Sequence, residues 1–513
     1  MELICPIDQR CSHQIAALLR PPSPPIVQEY FDQLISKRKC QGIKVKQNGD
    51  FGKGVFAETD FEEEQLIFKD EMLVGVQHPS NKVILIIFII FLFFWSLNMF
   101  NGLHFIVFPN FQIDCLVCSY CFKFIGSIEK QIGRKLYLKT LGIGNSSHNG
   151  CQRNSSDDEE DDHYVQNHHS SEDGASSSSG STIPLPMMAV ESLMNGELAL
   201  PYSNKFPLPS VVSCLGGCEE AFYCSKSCAE TDWESSHYLL CTGEKSESRS
   251  RKALLKFIQH ANETNDIFLL AAKAISFTIL RYRKLKASHM SEQEKPASSI
   301  LGTDLSLLLE AWKPISIGHK RRWWDCIALP DDIDASDEAT FRREIQELAF
   351  TSLQLLKEAI FDKECELLFS LEIYGHIIGM FELNNLDLVV ASPVEDYFLY
   401  IDDLPYPEKK EAEKITQPYL DALGEDYSNC CQGTAFFPLQ SCMNHSCCPN
   451  AKAFKREEDR DGQATIIALR PICNGEEVTI SYIDEDLPFE ERQALLADYG
   501  FRCRCPRCLD EEP

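Results

Sequence analysis

Asn444-His445-Ser446-Cys447-Cys448-Pro449-Asn450 is the stretch whose reading decides the fold. Behind it come Ile480-Ser481-Tyr482, the end of a short strand, and Cys503-Arg504-Cys505-Pro506-Arg507-Cys508, which starts 56 positions after Cys447 (503 − 447). In that order the chain offers a polar Asn-His pair, a tyrosine on a strand and a C-x-C-x2-C cluster. Cys503, Cys505 and Cys508 supply three thiolates, which leaves a tetrahedral zinc site one ligand short.

With 513 residues the chain has room for two or three domains and at least one large core. The hydrophobic share of 44% and charged share of 25% are those of an ordinary globular protein. The formal charge is −28, partly concentrated in Asp157–Asp162. That sign repels phosphate, so no direct sequence-specific DNA binding is expected. It suits basic peptides, with plain solubility charge as the open alternative. The start, MELICPIDQR, lacks the basic and apolar regions of a secretory signal. The 23 cysteines, several at C-x2-C and C-x-C spacing, therefore read as zinc ligands in a reducing compartment, not as disulfides.

Outward from the decisive stretch, the organisation reads as follows. Residues 1–41 are helical and linker-like with a PPSPP break at Pro21–Pro25. Residues 42–82 turn to short strands around Gly52-Lys53-Gly54. Residues 83–113 carry no Asp, Glu, Lys or Arg. Alone they would read as a membrane span. A single span would put residues 52–56 and 444–450 on opposite membrane faces, so no membrane association is expected. The Phe/Ile/Leu/Asn composition is what T- and A-rich non-coding DNA gives when translated, and the expectation is an inserted segment such as a retained intron. Asn145–Thr182, within a finger-like region over 114–245, is too polar to order itself. Residues 246–369 read as a helical insertion, with KALLKFIQHA and Phe341–Phe369 at helical spacing. Strands return over 370–487, and a helix (Pro488–Tyr499) opens the last segment, 488–513.

Cysteine pairs recur across residues 115–241: Cys118-x2-Cys121, overlapped by Cys115-x2-Cys118, then Cys214-x3-Cys218, Cys224-x3-Cys228 and His237-x3-Cys241. Four pairs make eight ligands, enough for two closed zinc sites whose metal supplies the folding free energy of a small domain. Ala221–Cys228 (AFYCSKSC) with His237-x3-Cys241 behind it is similar to the MYND finger. The resemblance implies interleaved pairing, the first and third pairs on one zinc and the second and fourth on the other. It places Cys118 and Cys121 as the first pair, with Cys115/Cys118 the open alternative. The chain departs from the family in a gap of 93 positions (214 − 121) between the first two pairs, and in the x3 spacing of Cys214 and Cys218. Loop closure cost grows only logarithmically with length, so the gap is tolerable.

The NHSCCPN stretch, the ISY strand and the CRCPRC cluster resemble the SET domain of protein lysine methyltransferases, and a finger between its two halves resembles the SET-MYND subgroup, most of all its plant trithorax-related members. The implied fold is α+β: short SET strands with a pseudoknotted C-terminal segment, interrupted by the finger and a helical insertion. The implied activity is methyl transfer from S-adenosylmethionine to lysine. Such a reaction asks the protein to align two reactants and exclude water. By resemblance, Gly52, Lys53 and Gly54 (in GKGVFA) approach the cofactor, Asn444 and His445 hold it, and Asn384, or Asn385 beside it, adds a contact. Tyr482 stands at the methyl-transfer point, Tyr499 lines the lysine channel and Phe501 stacks on adenine. The fourth ligand of the last zinc is Cys447, which leaves Cys448 a spectator and gives three structural zinc ions in all. Chromatin, histone H3 and the nucleus follow by the same resemblance, with KRK (Lys37–Lys39) and HKRRWW (His319–Trp324) as candidate import signals. The alternative is a catalytically weak scaffold that binds Pro-rich partners through the finger. A zinc hydrolase fits poorly, because the metal sites are closed by four protein ligands.

Overall fold

The computed structural model describes residues 5–47, 52–78, 82–84, 111–113, 115–140, 185–244, 251–292, 304–330, 333–334, 336–456 and 458–512. Most of the apolar segment 83–113, and all of the acidic run Asn145–Thr182, lie outside these residues. Among the described residues no helix is long and apolar enough to cross a membrane.

Among the described residues, fourteen short strands carry the first of two compact units. They are β1 (Ile43–Gln47), β2 (Lys53–Ala57), β3 (Leu66–Asp70), β4 (Val74–Gln77), β5 (Lys82–Ile84), β6 (Phe111–Ile113), β7 (Val212–Ser213) and β8 (Phe222–Tyr223), then β9 (Asn385–Val390), β10 (Cys431–Phe436), β11 (Asn444–His445), β12 (Ala451–Ala453), β13 (Ala464–Ala468) and β14 (Glu477–Ile480). In β1 the alternation of IKVKQ buries Ile43 and Val45 and leaves the lysines between them half-exposed. β1 pairs antiparallel with β2, from Ile43 opposite Ala57 to Gln47 opposite Lys53. β2 pairs antiparallel with β14, and β14 pairs parallel with β11, so the sheet order is β1-β2-β14-β11. This order brings the Gly52–Gly54 turn beside the Asn444-His445 pair although 392 positions separate Gly52 from Asn444 (444 − 52). Two three-stranded sheets, β4-β10-β9 and β12-β13-β3, and the pairs β5-β6 and β7-β8 hold the remaining strands.

Beneath the β1-β2-β14-β11 sheet, Phe31, Val45, Val55, Phe68, Leu439, Ile466 and Val478 form an apolar core. Helix Pro24–Arg38 ends in a buried ion pair between Arg38 and Asp70. The other carboxylate oxygen of Asp70 accepts from the backbone N–H of Leu439 (2.7 Å) and Gln440 (2.9 Å). Asp70 thereby fixes the turn that leads into β11.

Helices Arg251–Thr264, Ile267–Glu292, Leu305–Ser316, Glu338–Ile360 and Leu371–Asn384 build a second core around Phe268, Trp312, Trp323 and Tyr374. Gly379 in the last of these helices allows close approach of the chain at Arg321: a Cβ there would lie 2.1 Å from the Arg321 carbonyl. Four of these helices fall between residues 251 and 360, and Leu371–Asn384 continues the block.

Residues 126–208 and 391–430 form the second compact unit. Its helices, Ile128–Thr140, Met187–Asn195, Pro393–Asp402 and Tyr406–Leu423, bury Ile132, Leu136, Leu193, Val394, Tyr397 and Leu423 against one another. This departs from the boundaries expected above, which gave 126–208 to the finger region and 391–430 to the strands. The reason is that the apolar faces of these helices find each other across a long stretch of sequence.

Candidate active site

Four aromatic rings meet at the C-terminal edge of β14. The ring of Tyr482 stands 5.4 Å from that of His445, 5.2 Å from Tyr499 and 6.3 Å from Phe501, and His445 lies 6.0 Å from Phe501. All four are half-buried, so they line a recess rather than a sealed core. β11 and β14 position His445 and Tyr482, while helix Phe489–Asp498 and the turn at Gly500 (φ +88°) deliver Tyr499 and Phe501.

Hydrogen bonds fix the polar groups of this recess. His445 Nδ1 accepts from the Tyr482 backbone N–H at 3.0 Å, which leaves the ring proton on Nε2, 3.2 Å from Cys447 Sγ. Burial, helped by the nearby charge of Arg492, lowers the His445 pKa to about 4, so the ring is neutral at pH 7. The Tyr482 hydroxyl donates to the Met443 carbonyl at 2.5 Å. Its proton is thus committed and its lone pairs stay available as acceptors. Burial, then Tyr499, raises the Tyr482 pKa well above its ordinary value of 10.0, so the hydroxyl stays neutral.

On the other side, the Asn444 amide donates to the Lys53 carbonyl (3.0 Å) and to Glu477 Oε1 (2.7 Å). Gly52 has φ +78°, the left-handed region glycine favours, and nothing lies within 4 Å of where its Cβ would be. At Gly54 a Cβ would meet Glu477 Oε1 at 2.4 Å. A turn with open space at one glycine and no room for a side chain at the other is a cradle that fits a ligand laid along its backbone. The half-buried aromatic recess beside Asn444 and His445 fits S-adenosylmethionine in the same way. The Lys53 ammonium turns away, onto the Ile317 carbonyl. Asn384 closes helix Leu371–Asn384 and donates to the carbonyls of His319 (3.0 Å) and Met380 (2.7 Å), while Asn385 starts β9 and is exposed.

The twelve Cys and His residues named as zinc ligands gather into three clusters: Cys118, Cys121, Cys224 and Cys228; Cys214, Cys218, His237 and Cys241; and Cys447, Cys503, Cys505 and Cys508. In each, four ligand atoms lie within 4.8 Å of one another, a thiolate-rich donor set that fits tetrahedral zinc with no open position. The first two interleave in sequence. Cys115 is buried outside them, and Cys448 is exposed outside the third. The β7-β8 hairpin and helix Lys226–Asp232, capped by Ser225 Oγ accepting from Cys228 N at 3.1 Å, hold the finger ligands. In the third cluster Cys447 Sγ lies 3.5 Å from Cys508 Sγ and 3.9 Å from Cys503 Sγ. Gln493 reaches Cys508 Sγ at 3.3 Å and accepts from Cys503 N at 3.1 Å. The buried Arg492 guanidinium, 3.9 Å from Cys508 Sγ, offsets the excess negative charge of four thiolates.

The sequence alone did not point to Glu477, Gln493 or Arg492. Each is a charged or amide residue that reads as surface until its partner, far away in sequence, is known. The candidate import signals also have structural work: Arg38 pairs with Asp70, and the Lys320 ammonium is turned inward onto backbone carbonyls.

A SET domain model matches residues 335–483 and a MYND finger model matches residues 207–241. With the aromatic recess, the cradle and the three thiolate clusters, these matches define the class: the chain belongs to the SET- and MYND-domain family of lysine N-methyltransferases, which act with S-adenosylmethionine, and its three clusters fit structural zinc. It is 64% identical over 511 residues to the histone-lysine N-methyltransferase ATXR2 of Arabidopsis thaliana, an alignment spanning 100% of this chain and 99% of that protein. The protein-lysine N-trimethyltransferase SMYD5 of Gallus gallus is 25% identical over 309 residues, 56% of this chain and 63% of that protein. SMYD5 of Homo sapiens is 41% identical over 104 residues, 19% of this chain and 24% of that protein.

Proposed function

We propose that this chain methylates lysine on histone H3 in the nucleus, with its finger docking Pro-rich segments of partner proteins. The observation that carries the enzymatic part is the Tyr482 hydroxyl, which donates to Met443 and keeps acceptor lone pairs inside an aromatic recess. A histone-lysine methyltransferase 64% identical along the whole chain supports the histone part, and an acidic charge of −28 suits a basic tail.

S-adenosylmethionine supplies, when bound, an electrophilic methyl group on a sulfonium. Gly52, Lys53 and Gly54 offer backbone, Asn444 offers its side-chain oxygen, and His445 offers the face of its ring, to hold its amino-acid and nucleoside ends. Asn384 steadies the neighbouring loop, and Phe501 offers a face to adenine. Tyr499 and Tyr482 wall the lysine channel and shed water from it. A buried aromatic channel disfavours ammonium, so the lysine enters reaction as the neutral amine. The oxygen of Tyr482 accepts from that amine and orients its lone pair. The zinc held by Cys447, Cys503, Cys505 and Cys508 ties the Tyr499–Phe501 wall to the Asn444-His445 strand. The other two zinc ions, on Cys118, Cys121, Cys224 and Cys228 and on Cys214, Cys218, His237 and Cys241, shape the finger.

The test is transfer of labelled methyl to recombinant histone octamers by the full chain and by Tyr482→Phe. Label on H3 that is lost in the variant supports the proposal. Label on another histone overturns the H3 assignment. Cofactor binding without transfer to any histone moves the substrate elsewhere.

A further inference from the structure

The end of helix Leu305–Ser316 and the loop that follows it present five consecutive backbone carbonyls, Ile315 to His319, and side chains from three parts of the chain take them all. Lys320 donates to Ile315 (3.0 Å), Ser316 (2.5 Å) and Gly318 (2.9 Å). Lys53, from the glycine cradle, donates to Ile317, and Asn384 donates to His319 at 3.0 Å. Each carbonyl from Ile315 to His319 is thereby held by a side chain. Gly318 is pressed onto helix Leu371–Asn384, since a Cβ there would lie 2.5 Å from Met380 Sδ. At the far end Arg321 Nη1 would lie 3.2 Å from a Cβ on Gly500, in the turn that delivers Tyr499 and Phe501. The loop therefore touches the glycine cradle, Asn384 and the aromatic wall, three features otherwise held by separate elements.

We propose that Ile317–Arg321 forms a wall of the S-adenosylmethionine site and that Lys320 is the positioning residue that sets it. The inference rests on the methyltransferase reading above. The Lys320 ammonium is turned onto carbonyls of its own loop and of the helix end before it, so its hydrogen bonds serve the loop rather than the surface. Burial, then the neighbouring charge of Lys53, lowers its pKa to about 7, a setting in which the carbonyl ligands are needed to keep the ammonium. His319 is the residue that this arrangement leaves exposed on the loop.

The test uses the full chain with zinc bound. Calorimetry with S-adenosylmethionine compares the unsubstituted protein, Lys320→Met, and Leu353→Ala, a core truncation in helix Glu338–Ile360 away from the loop. Lys320→Met is expected to raise the cofactor Kd about 10-fold, with turnover at saturating cofactor within about twofold. Leu353→Ala is expected to lower Tm and leave Kd unchanged. In the unsubstituted protein, hydrogen exchange is expected to slow at residues 316–321 when cofactor is added, a result that decides the matter if Lys320→Met does not fold. An unchanged Kd in Lys320→Met, an equal loss in Leu353→Ala, or no protection of the loop overturns the inference alone. No cofactor binding by the unsubstituted protein overturns the methyltransferase reading with it.

Discussion

Gly54→Ala probes the cradle with a single methyl group. The added Cβ would stand 2.4 Å from Glu477 Oε1, 3.2 Å from Glu477 Cδ and 3.0 Å from Phe56 Cε2. Gly54 does not have positive φ, so the cost is steric and not backbone strain. The Glu477 carboxylate has to swing away, and in doing so it leaves the Asn444 amide, which donates to it at 2.7 Å. A hydrogen bond to a charged acceptor contributes about 1.5–3 kcal/mol, which corresponds to roughly 10–150-fold in an equilibrium constant. Asn444 keeps its second bond, to the Lys53 carbonyl at 3.0 Å, so only part of that loss reaches the ligand. The expected rise in the S-adenosylmethionine Kd is about 10-fold, the lower end of that range. Calorimetry on Gly54→Ala, Glu477→Ala and the double variant completes a double-mutant cycle. With the carboxylate gone only the edge of the Phe56 ring, 3.0 Å away, has to give, so the methyl group's additional cost should fall below about 0.5 kcal/mol. Gly54→Ala binding within twofold of the parent, or fully additive losses in the double variant, would refute this account of the cradle.

Other outcomes follow from the same contacts. Asp70→Ala leaves Arg38 buried without its partner and frees two backbone N–H groups, so urea unfolding should show a loss of about 3–5 kcal/mol. Arg492→Met removes the cation beside the third thiolate cluster, and zinc release to a chromogenic chelator should accelerate about 10-fold or more; unchanged release would mean the guanidinium is a passive core residue. Cys503→Ser should free the Tyr499–Phe501 wall and weaken cofactor binding while the finger keeps its two zinc ions, which metal analysis would count. Because Tyr482 is held above its ordinary pKa of 10.0, the methylation rate should climb with pH as substrate lysine loses its proton, without a downturn from tyrosinate below about pH 10; a downturn near pH 8 would contradict a neutral, buried hydroxyl.

The parts of the site that can be read from the chain are those where chemistry dictates residue type and spacing together. Thiols recurring two to four positions apart point to metal or redox work, and the clusters on Cys224/Cys228 and Cys503/Cys505/Cys508 were visible for that reason. The alternation of Ile43 and Val45 and the glycines of GKG carried β1 and β2 in the same way. Glu477, Arg492 and Lys320 were not legible, because a charged residue in a strand, helix or loop looks solvated until the fold turns it onto an amide, a thiolate or a set of carbonyls. The second compact unit was hidden for a related reason. Its helices Pro393–Asp402 and Tyr406–Leu423 are amphipathic, but nothing local says that their apolar faces belong to Ile132 and Leu136 rather than to the neighbouring strands.

Phe56 of β2 faces Glu477 of β14, a separation of 421 positions (477 − 56). During synthesis at about 5–20 residues per second, β2 therefore waits roughly 20–80 s for its partner. For that interval one edge of the β1-β2 hairpin stands open, with unpaired N–H and C=O groups available to any other nascent strand. The catalytic centre is among the last regions of the protein to come into being, and its yield in a cell depends on how well that waiting hairpin is sheltered.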